Sequence, residues 1–414
     1  MIRATRTQWI KFAVVLALYL IFLVWLRSWL GLVVVPFIFD AYITKKIPWT
    51  WWRESKNRHV VTVMGWVDAI VFALVAVYFV NLYFFQNYVI PSSSLEKSLL
   101  TGDYLFVSKM SYGPRVPQTP LHMPLAQHTL PFFNCKSYLE HPQWDYKRVK
   151  GLGDVQLNDI VVFNFPAGDT VATGVPNDDI YRLSYGAGKE LAKPVDLASM
   201  TPEQQRVVYD YYYQLGREYL KENPQNFGEI ISRPVDRREN YVKRCVGLPG
   251  QTLEIKDRII YLDGKANKEP DNVQYRYLVK TKRPIPDDLA HELGISKEDM
   301  MMYYTDASVY NMPLTEKAKA GLLARKDIVV SIENTPADDA GGLYPLNMYK
   351  NWTTDNYGPV WIPKKGETVK LTIENLPVYE RPIHVYEGNE LAVKDGKIYI
   401  NGKETDEYTF KMDY

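Results

Sequence analysis

The chain opens with stretches in which apolar residues occupy every face. Gly65 to Phe85 reads GWVDAIVFALVAVYFVNLYFF, and Asp68, near its start, is the one ionisable group. About twenty residues at 1.5 Å rise match the roughly 30 Å hydrocarbon layer, which predicts a spanning helix. A core helix in water keeps its apolar residues to one stripe. Residues 12–26 (FAVVLALYLIFLVWL) form another such run, and WLGLVVVPFIFDAYI follows at 29–43 after Arg27 and Ser28. Arg27 and Pro36 leave two paths open. One is a single long span from residue 12 to the mid-thirties; the other is a re-entrant hairpin of two short helices. The next loop carries Lys45, Lys46, Arg53, Lys56 and Arg58 and is expected on the cytoplasmic side. Trp49, Trp51 and Trp52 suit interfacial anchors. Arg3, Arg6 and Lys11 favour a cytoplasmic N-terminus as well, which conflicts with one simple span. No small-x-small site follows the first run, so a cleavable leader is not expected. With the basic loop inside, everything from Gln86 onward lies outside the cytoplasm.

Beyond the membrane the pattern changes to period two. Tyr104 to Ser108, Asp159 to Phe165, Tyr241 to Val246, Leu253 to Leu262 and Lys397 to Asn401 alternate or are β-branched between turn signals. They predict a mostly β domain, sandwich or barrel-like. Helices interrupt it. Thr201-Pro202-Glu203-Gln204 combines a cap residue, Pro at the first helical position and Gln three residues after the cap, predicting a helix from there towards Lys221. Pro284 to Glu298 and Thr315 to Arg325 read as shorter helices. LEIKDRIIYLDGK at 253–265 is echoed by LAVKDGKIYINGK at 391–403, two hairpins ending in Gly-containing turns. An insertion between related hairpins is the simplest account. The expected organisation is a membrane segment with a basic loop (1–64), a transmembrane helix (65–85) and a catalytic β domain with a helical insertion near 201–223 (86–265). A variable α+β insertion (266–390) and a returning hairpin (391–414) complete it.

A net charge of +1 over 414 residues gives no basic field that would argue for nucleic acid. Cys135 and Cys245 form no metal spacing and no disulfide framework. A single bridge between them outside the cytoplasm is the alternative to two free thiols.

Two positions carry candidate chemistry. Ser94 lies in a turn of small residues after Pro91, nine residues from Phe85, and extended chain of that length reaches at most about 30 Å. It must therefore act close to the membrane surface. Lys243 lies on a strand whose alternation puts Tyr241, Lys243 and Cys245 on one face and Val242, Arg244 and Val246 on the other. A lysine deprotonates a serine only if burial against apolar neighbours brings its pKa towards neutrality. An ordinary serine-rich turn and a surface Lys-Arg pair on an edge strand are the plain alternatives, and periodicity does not choose.

IPSSSLEKSLLTGDYLFVSKMSYG at 90–113 resembles the nucleophile box of type I signal peptidases, and YVKRCVGLPG at 241–250 resembles their lysine box. VQLNDIVVFNFP at 155–166 is similar to the strand motif between them. The resemblance implies Ser94 as nucleophile, Lys243 as general base, and an oxyanion hole made by the Ser92 hydroxyl with the Ser94 backbone N–H. Such donors contribute about 3–4 kcal/mol to a transition state. It also implies a signal-peptidase-like β catalytic core in the cytoplasmic (inner) membrane, multi-pass, with no metal or organic cofactor. The implied partners are the lipid bilayer and exported preproteins with small residues at the first and third positions before the cut. Leu95 stands where the family usually has Met, and Lys97-Ser98 where it has Pro-Thr. The family's last box, Gly-Asp-Asn-Arg with a following Ser, is expected after the final hairpin, where this sequence reads YTFKMDY. A C-terminally truncated peptidase with a loosened Lys243 is therefore expected. The faint echo DNYGPVWIP at 355–363 is not a substitute. The alternative is a non-catalytic envelope module that binds extended peptides. Sequence leaves open which preproteins are cut, what residues 266–390 bind and the oligomeric state.

Overall fold

A computed structural model describes residues 4–130, 132–133, 135–166, 170–175, 179–302, 304–306, 308–336, 343–346 and 352–414. Arg3 lies outside them. Helix α1 (Arg6–Leu26) starts at a capping box in which Thr5 and Gln8 bond each other's backbone N–H. It ends at Arg27, in the left-handed region at φ 51°, where the chain reverses. The short helical turns of Leu30–Thr44 then run back along α1. The Tyr19 hydroxyl donates to the Gly31 carbonyl (2.7 Å), and Phe39 packs against Phe12 and Trp9. The chain turns back at Arg27, so residues 12 to the mid-thirties do not form one span, and the first arm, at 21 residues, is longer than the short helix of the hairpin expectation. Asp40 closes the returning segment, accepting backbone N–H bonds from Lys46 and Ile47 and the Trp49 indole N–H.

Helix α2 (Arg58–Tyr83) begins at the Asn57 cap, seven residues before the apolar run. At 26 residues it is about 39 Å long. Both α1 and α2 are long and apolar enough to cross a membrane. Their C-terminal ends come together, where Phe22 near the end of α1 packs on Phe79 and Tyr83 near the end of α2. Strand β1 (Phe85–Val89) follows with only Phe84 between, and the Lys109 N–H binds the Phe84 carbonyl (2.8 Å).

Two antiparallel pairs carry the candidate site. β1 pairs with β2 (Tyr104–Ser108), and β3 (Ile160–Asn164) pairs with β4 (Asn240–Arg244). Between β3 and β4 lies a helical pair, α3 (Ile180–Leu191) and α4 (Pro202–Glu222). Helix α4 carries the capping box expected from Thr201 and Gln204. The two helices touch through backbone. A Cβ on Gly188 would lie 1.8 Å from the Tyr212 carbonyl oxygen, and one on Gly216 would lie 1.7 Å from that of Ser184. With α1 and α2, this pair gives helices a larger share than a mostly β pattern foretells.

The echoed segments are hairpins of the same register. β5 (Thr252–Lys256) pairs with β6 (Ile259–Leu262), while β11 (Leu391–Lys394) pairs with β12 (Lys397–Ile400). Their two-residue turns, Asp257-Arg258 and Asp395-Gly396, both take positive φ, the geometry that suits tight hairpins. Arg258 is held there by an ion pair to Asp355 (3.0 Å) and by the Thr335 carbonyl. Between the hairpins, β7 (Gln274–Thr281) is flanked by β8 (Val309–Thr315) and β9 (Val329–Asn334). They bury Val279, Met312, Leu314, Leu322 and Ile328 in one core. Residues 369–383 instead share a core with the second hairpin, through Leu371, Leu376, Ile383, Ile398, Ile400 and Phe410. The segment 355–363 supplies β10 (Tyr357–Trp361) against β5, which gives the faint echo a structural role.

Candidate active site

The serine turn is a closed loop. Its base is a reciprocal backbone pair, Ile90 N–H to Asp103 carbonyl (3.0 Å) and Gly102 N–H to Ile90 carbonyl (2.9 Å). The Asp103 carboxylate also accepts the Leu100 N–H (2.8 Å). At the tip, Ser93–Leu95 makes one 3₁₀ turn preceded by Ser92 in extended conformation. Lys97 follows at φ 68°, a value that proline, fixed near −65°, does not adopt. The departure from the family's Pro-Thr is thus matched by a different turn.

Across from this loop, β4 is held to β3 with Lys243 opposite Val161. The segment that resembles the family's intervening motif extends the pairing. Asn158 N–H bonds the Cys245 carbonyl (2.7 Å), and Cys245 N–H bonds the Asp159 carbonyl (2.8 Å). Asp159 also accepts the Tyr112 hydroxyl (2.6 Å), a bond that holds its carboxyl below the usual range and pushes Tyr112 up to about 12. Both cysteines are free thiols, so the bridge alternative does not occur.

The Lys243 Nζ donates to the Ser94 Oγ at 2.6 Å, across 149 positions of sequence. The Ser92 hydroxyl is exposed on the same loop and forms no cap bond. Two expectations need correction. Lys243 and Ser94 are both exposed, so the amine is not enclosed by apolar neighbours as an activated lysine would need. Arg244, placed by alternation on the face away from Lys243, still serves the site. Its guanidinium donates to the Ser98 hydroxyl (3.1 Å) and the Asn158 carbonyl (2.8 Å), tying the chain after Ser94 to the strand pair.

Beside Ser94 lies a groove of about 360 Å³. Leu95, Glu96 and Arg244 line one side, and Asn272, Arg276 and Asp299 from the inserted region line the other. No residue of 355–363 lines it. The sequence carries no signal for this wall, which exists only because the insertion folds back over the loop. Among the described residues no group of three or more His, Cys, Asp or Glu side chains could hold a metal ion.

Comparison with known proteins bears on the same region. The sequence profile described as signal peptidase, peptidase S26, matches residues 63–291. Signal peptidase I of Helicobacter pylori (strain ATCC 700392 / 26695) is 42% identical over 56 residues, 14% of this chain and 18% of that protein. Signal peptidase I P of Bacillus subtilis subsp. natto is 20% identical over 279 residues, 67% of this chain and 90% of that protein. Signal peptidase I of Bacillus amyloliquefaciens is 30% identical over 93 residues, 22% of this chain and 47% of that protein. No solved structure matches the chain. The profile covers more than half of the sequence, including the serine loop, both strand pairs and the helical pair, and the chain belongs to the signal peptidase family, peptidase S26.

Proposed function

We propose that this chain is a membrane-bound serine endopeptidase that removes N-terminal signal peptides from exported preproteins. Ser94 is the nucleophile and Lys243 the general base. The observation that carries this reading is the 2.6 Å contact between them. Neutral Lys243 takes the Ser94 proton as Oγ attacks the scissile carbonyl, giving an acyl-enzyme. The Ser92 hydroxyl and the Ser94 N–H receive the developing negative charge. After the leaving amine departs, Lys243 activates a water that releases the signal peptide's acyl group. Shallow pockets restrict the cut to small residues at the first and third positions before it. Purified full-length chain in detergent should cleave such a preprotein, and Ser94→Ala or Lys243→Met should each lower kcat by at least about 10³-fold. Retained cleavage in either variant refutes the dyad. Exposure of the amine favours the second reading, a non-catalytic peptide-binding homologue. That reading predicts peptide binding without cleavage in the unsubstituted chain.

We infer further that the N-terminus and the basic loop lie on one side of the membrane and the β domain on the other; the adjoining ends of α1 and α2 support this reading. On it, Arg6, Lys11, Lys45 and Lys46 all face the cytoplasm, without the conflict that a single span creates. In a Cys135→Ser/Cys245→Ser background, Thr5→Cys and Lys46→Cys should stay shielded from an impermeant maleimide in intact cells while Lys403→Cys reacts. The reverse pattern overturns this topology.

A further inference from the structure

The groove beside Ser94 has one wall that the catalytic strands do not supply. No residue of α1 or α2 lines it. Its far side comes from β7 and from the short helix Lys297–Met302, which packs through Met300 on the core of the inserted region. Asp299 of that helix is 8% exposed and lines the groove. Its Oδ2 accepts no hydrogen bond, and no cation among the described residues lies within ion-pairing distance of it. The neighbouring Lys297 pairs with Asp287 instead (3.0 Å). The Asp299 backbone N–H bonds the Ser296 hydroxyl (3.0 Å), which fixes the residue without using its carboxylate. Two other charges of the groove are engaged. Glu96 lies 3.9 Å from Lys97, and Arg244 donates to Ser98 and Asn158. A carboxylate withdrawn from water is costly unless a cation joins it. Leu95, Pro270, Val273 and Pro313 give the same groove an apolar lining. Apolar walls next to a lone carboxylate suit the methylene stem and charged head of a lysine or arginine.

We propose that Asp299 makes this groove a specificity site for the chain released by the cut, accepting a basic side chain and rejecting an acidic one. The inference rests on the peptidase reading of Ser94 and Lys243 and deepens it. A signal peptide's apolar run precedes the cut and stays at the bilayer. The leaving side therefore extends away from α1 and α2, past the wall that the inserted region supplies. Extended chain advances about 3.3 Å per residue, so the first few residues after the cut reach a groove that begins at Ser94. A lysine or arginine there neutralises Asp299, whereas a glutamate or aspartate meets a like charge. A segment with its own core thus selects substrates without touching the dyad.

The test uses the full chain in detergent and a set of preproteins with small residues before the cut, each changed at a single position. Positions one to four after the cut, and the second before it, carry alanine, lysine or glutamate in turn. In wild type, kcat/KM for lysine should exceed that for glutamate by at least about tenfold at one position after the cut. Asp299→Asn should bring that ratio to within about twofold of unity, and Asp299→Lys should invert it. Glu298→Gln, exposed on the same helix and outside the groove, should keep the wild-type ratio. A flat series in wild type, an unchanged ratio in Asp299→Asn, or a preference confined to the position before the cut overturns the proposal. Asp299→Asn should melt no lower than wild type, since its Oδ2 has no partner to lose. A clear fall in melting temperature would mark the carboxylate as structural and defeat the idea. Failure of the peptidase reading shows separately, as no cleavage of the alanine series. The groove is then judged by fluorescence anisotropy of labelled lysine and glutamate peptides on the Ser94→Ala chain, where equal affinities refute the site.

Discussion

Replacing Arg244 with methionine keeps the length of the stem but deletes two bonds that hold the chain just after Ser94, to the Ser98 hydroxyl and to the Asn158 carbonyl. A bond from a charged donor is worth roughly 1.5–3 kcal/mol when enclosed. Arg244 is half-buried and Ser98 exposed, so about 1 kcal/mol for each bond is the fitting scale. Losing about 2 kcal/mol of loop order corresponds to roughly thirtyfold in rate as a ceiling. We expect kcat to fall about tenfold with KM little changed, because the serine is displaced while the substrate groove persists. Single-turnover cleavage of a preprotein separates the two parameters. Ser98→Ala removes one bond and should cost about threefold. The double variant should be no slower than Arg244→Met, since both substitutions break the same contact. Wild-type kcat in Arg244→Met, or strict multiplication of the single effects, would refute a bracing role.

Two further outcomes follow from the fold. Gly216→Ala places a methyl group 1.7 Å from the Ser184 carbonyl oxygen, so α3 and α4 must part. A cost of at least about 1–3 kcal/mol should appear as a lower melting temperature and faster proteolysis between residues 175 and 230. An unchanged melt would contradict the close helix contact. The depressed pKa of Lys109 makes stability depend on pH, because burial first, and then the charges of Arg115 and Arg148, disfavour its charged form. The unfolded chain binds the proton up to about pH 10.4, the folded one only to about 8. The penalty is therefore complete below pH 8, and stability from this group rises as pH climbs from 8 towards 10. Denaturant unfolding at pH 7 and pH 9.5 should show that rise in wild type and a smaller one in Lys109→Met. Equal slopes would refute it.

Local rules served well where the signal lay within a few residues. Thr201 and Gln204 announced α4, Thr315 announced the helix Glu316–Ala324, and the Asp-Gly and Asn-Gly turns announced the hairpins. Helix α3 escaped because Gly186 and Gly188 lower its propensity, and the reason for Gly188, the approach of α4, lies outside its own segment. The pairing of Ser94 with Lys243 could not come from spacing across 149 positions and was legible only through resemblance to a family. Alternation on β4 could not say that Lys243 would be exposed, or that Arg244 would reach Ser98 on the same loop that Lys243 contacts. The groove wall from residues 272, 276 and 299 depends on how the insertion docks, which no local pattern encodes.

Helix α2 passes into β1 through Phe84 alone, with the Phe84 N–H still bonded to the Val80 carbonyl and its own carbonyl taken by Lys109. There is no slack at that junction. If Ser94 is the cutting group, its altitude over the bilayer is set by a stiff rod, and a preprotein must deliver its bond to that level. The span of the substrate's own apolar stretch then becomes a length gauge, and a Gly-Ser pair inserted after Phe84 should blur it. Unchanged length discrimination after that insertion would show that the gauge lies elsewhere.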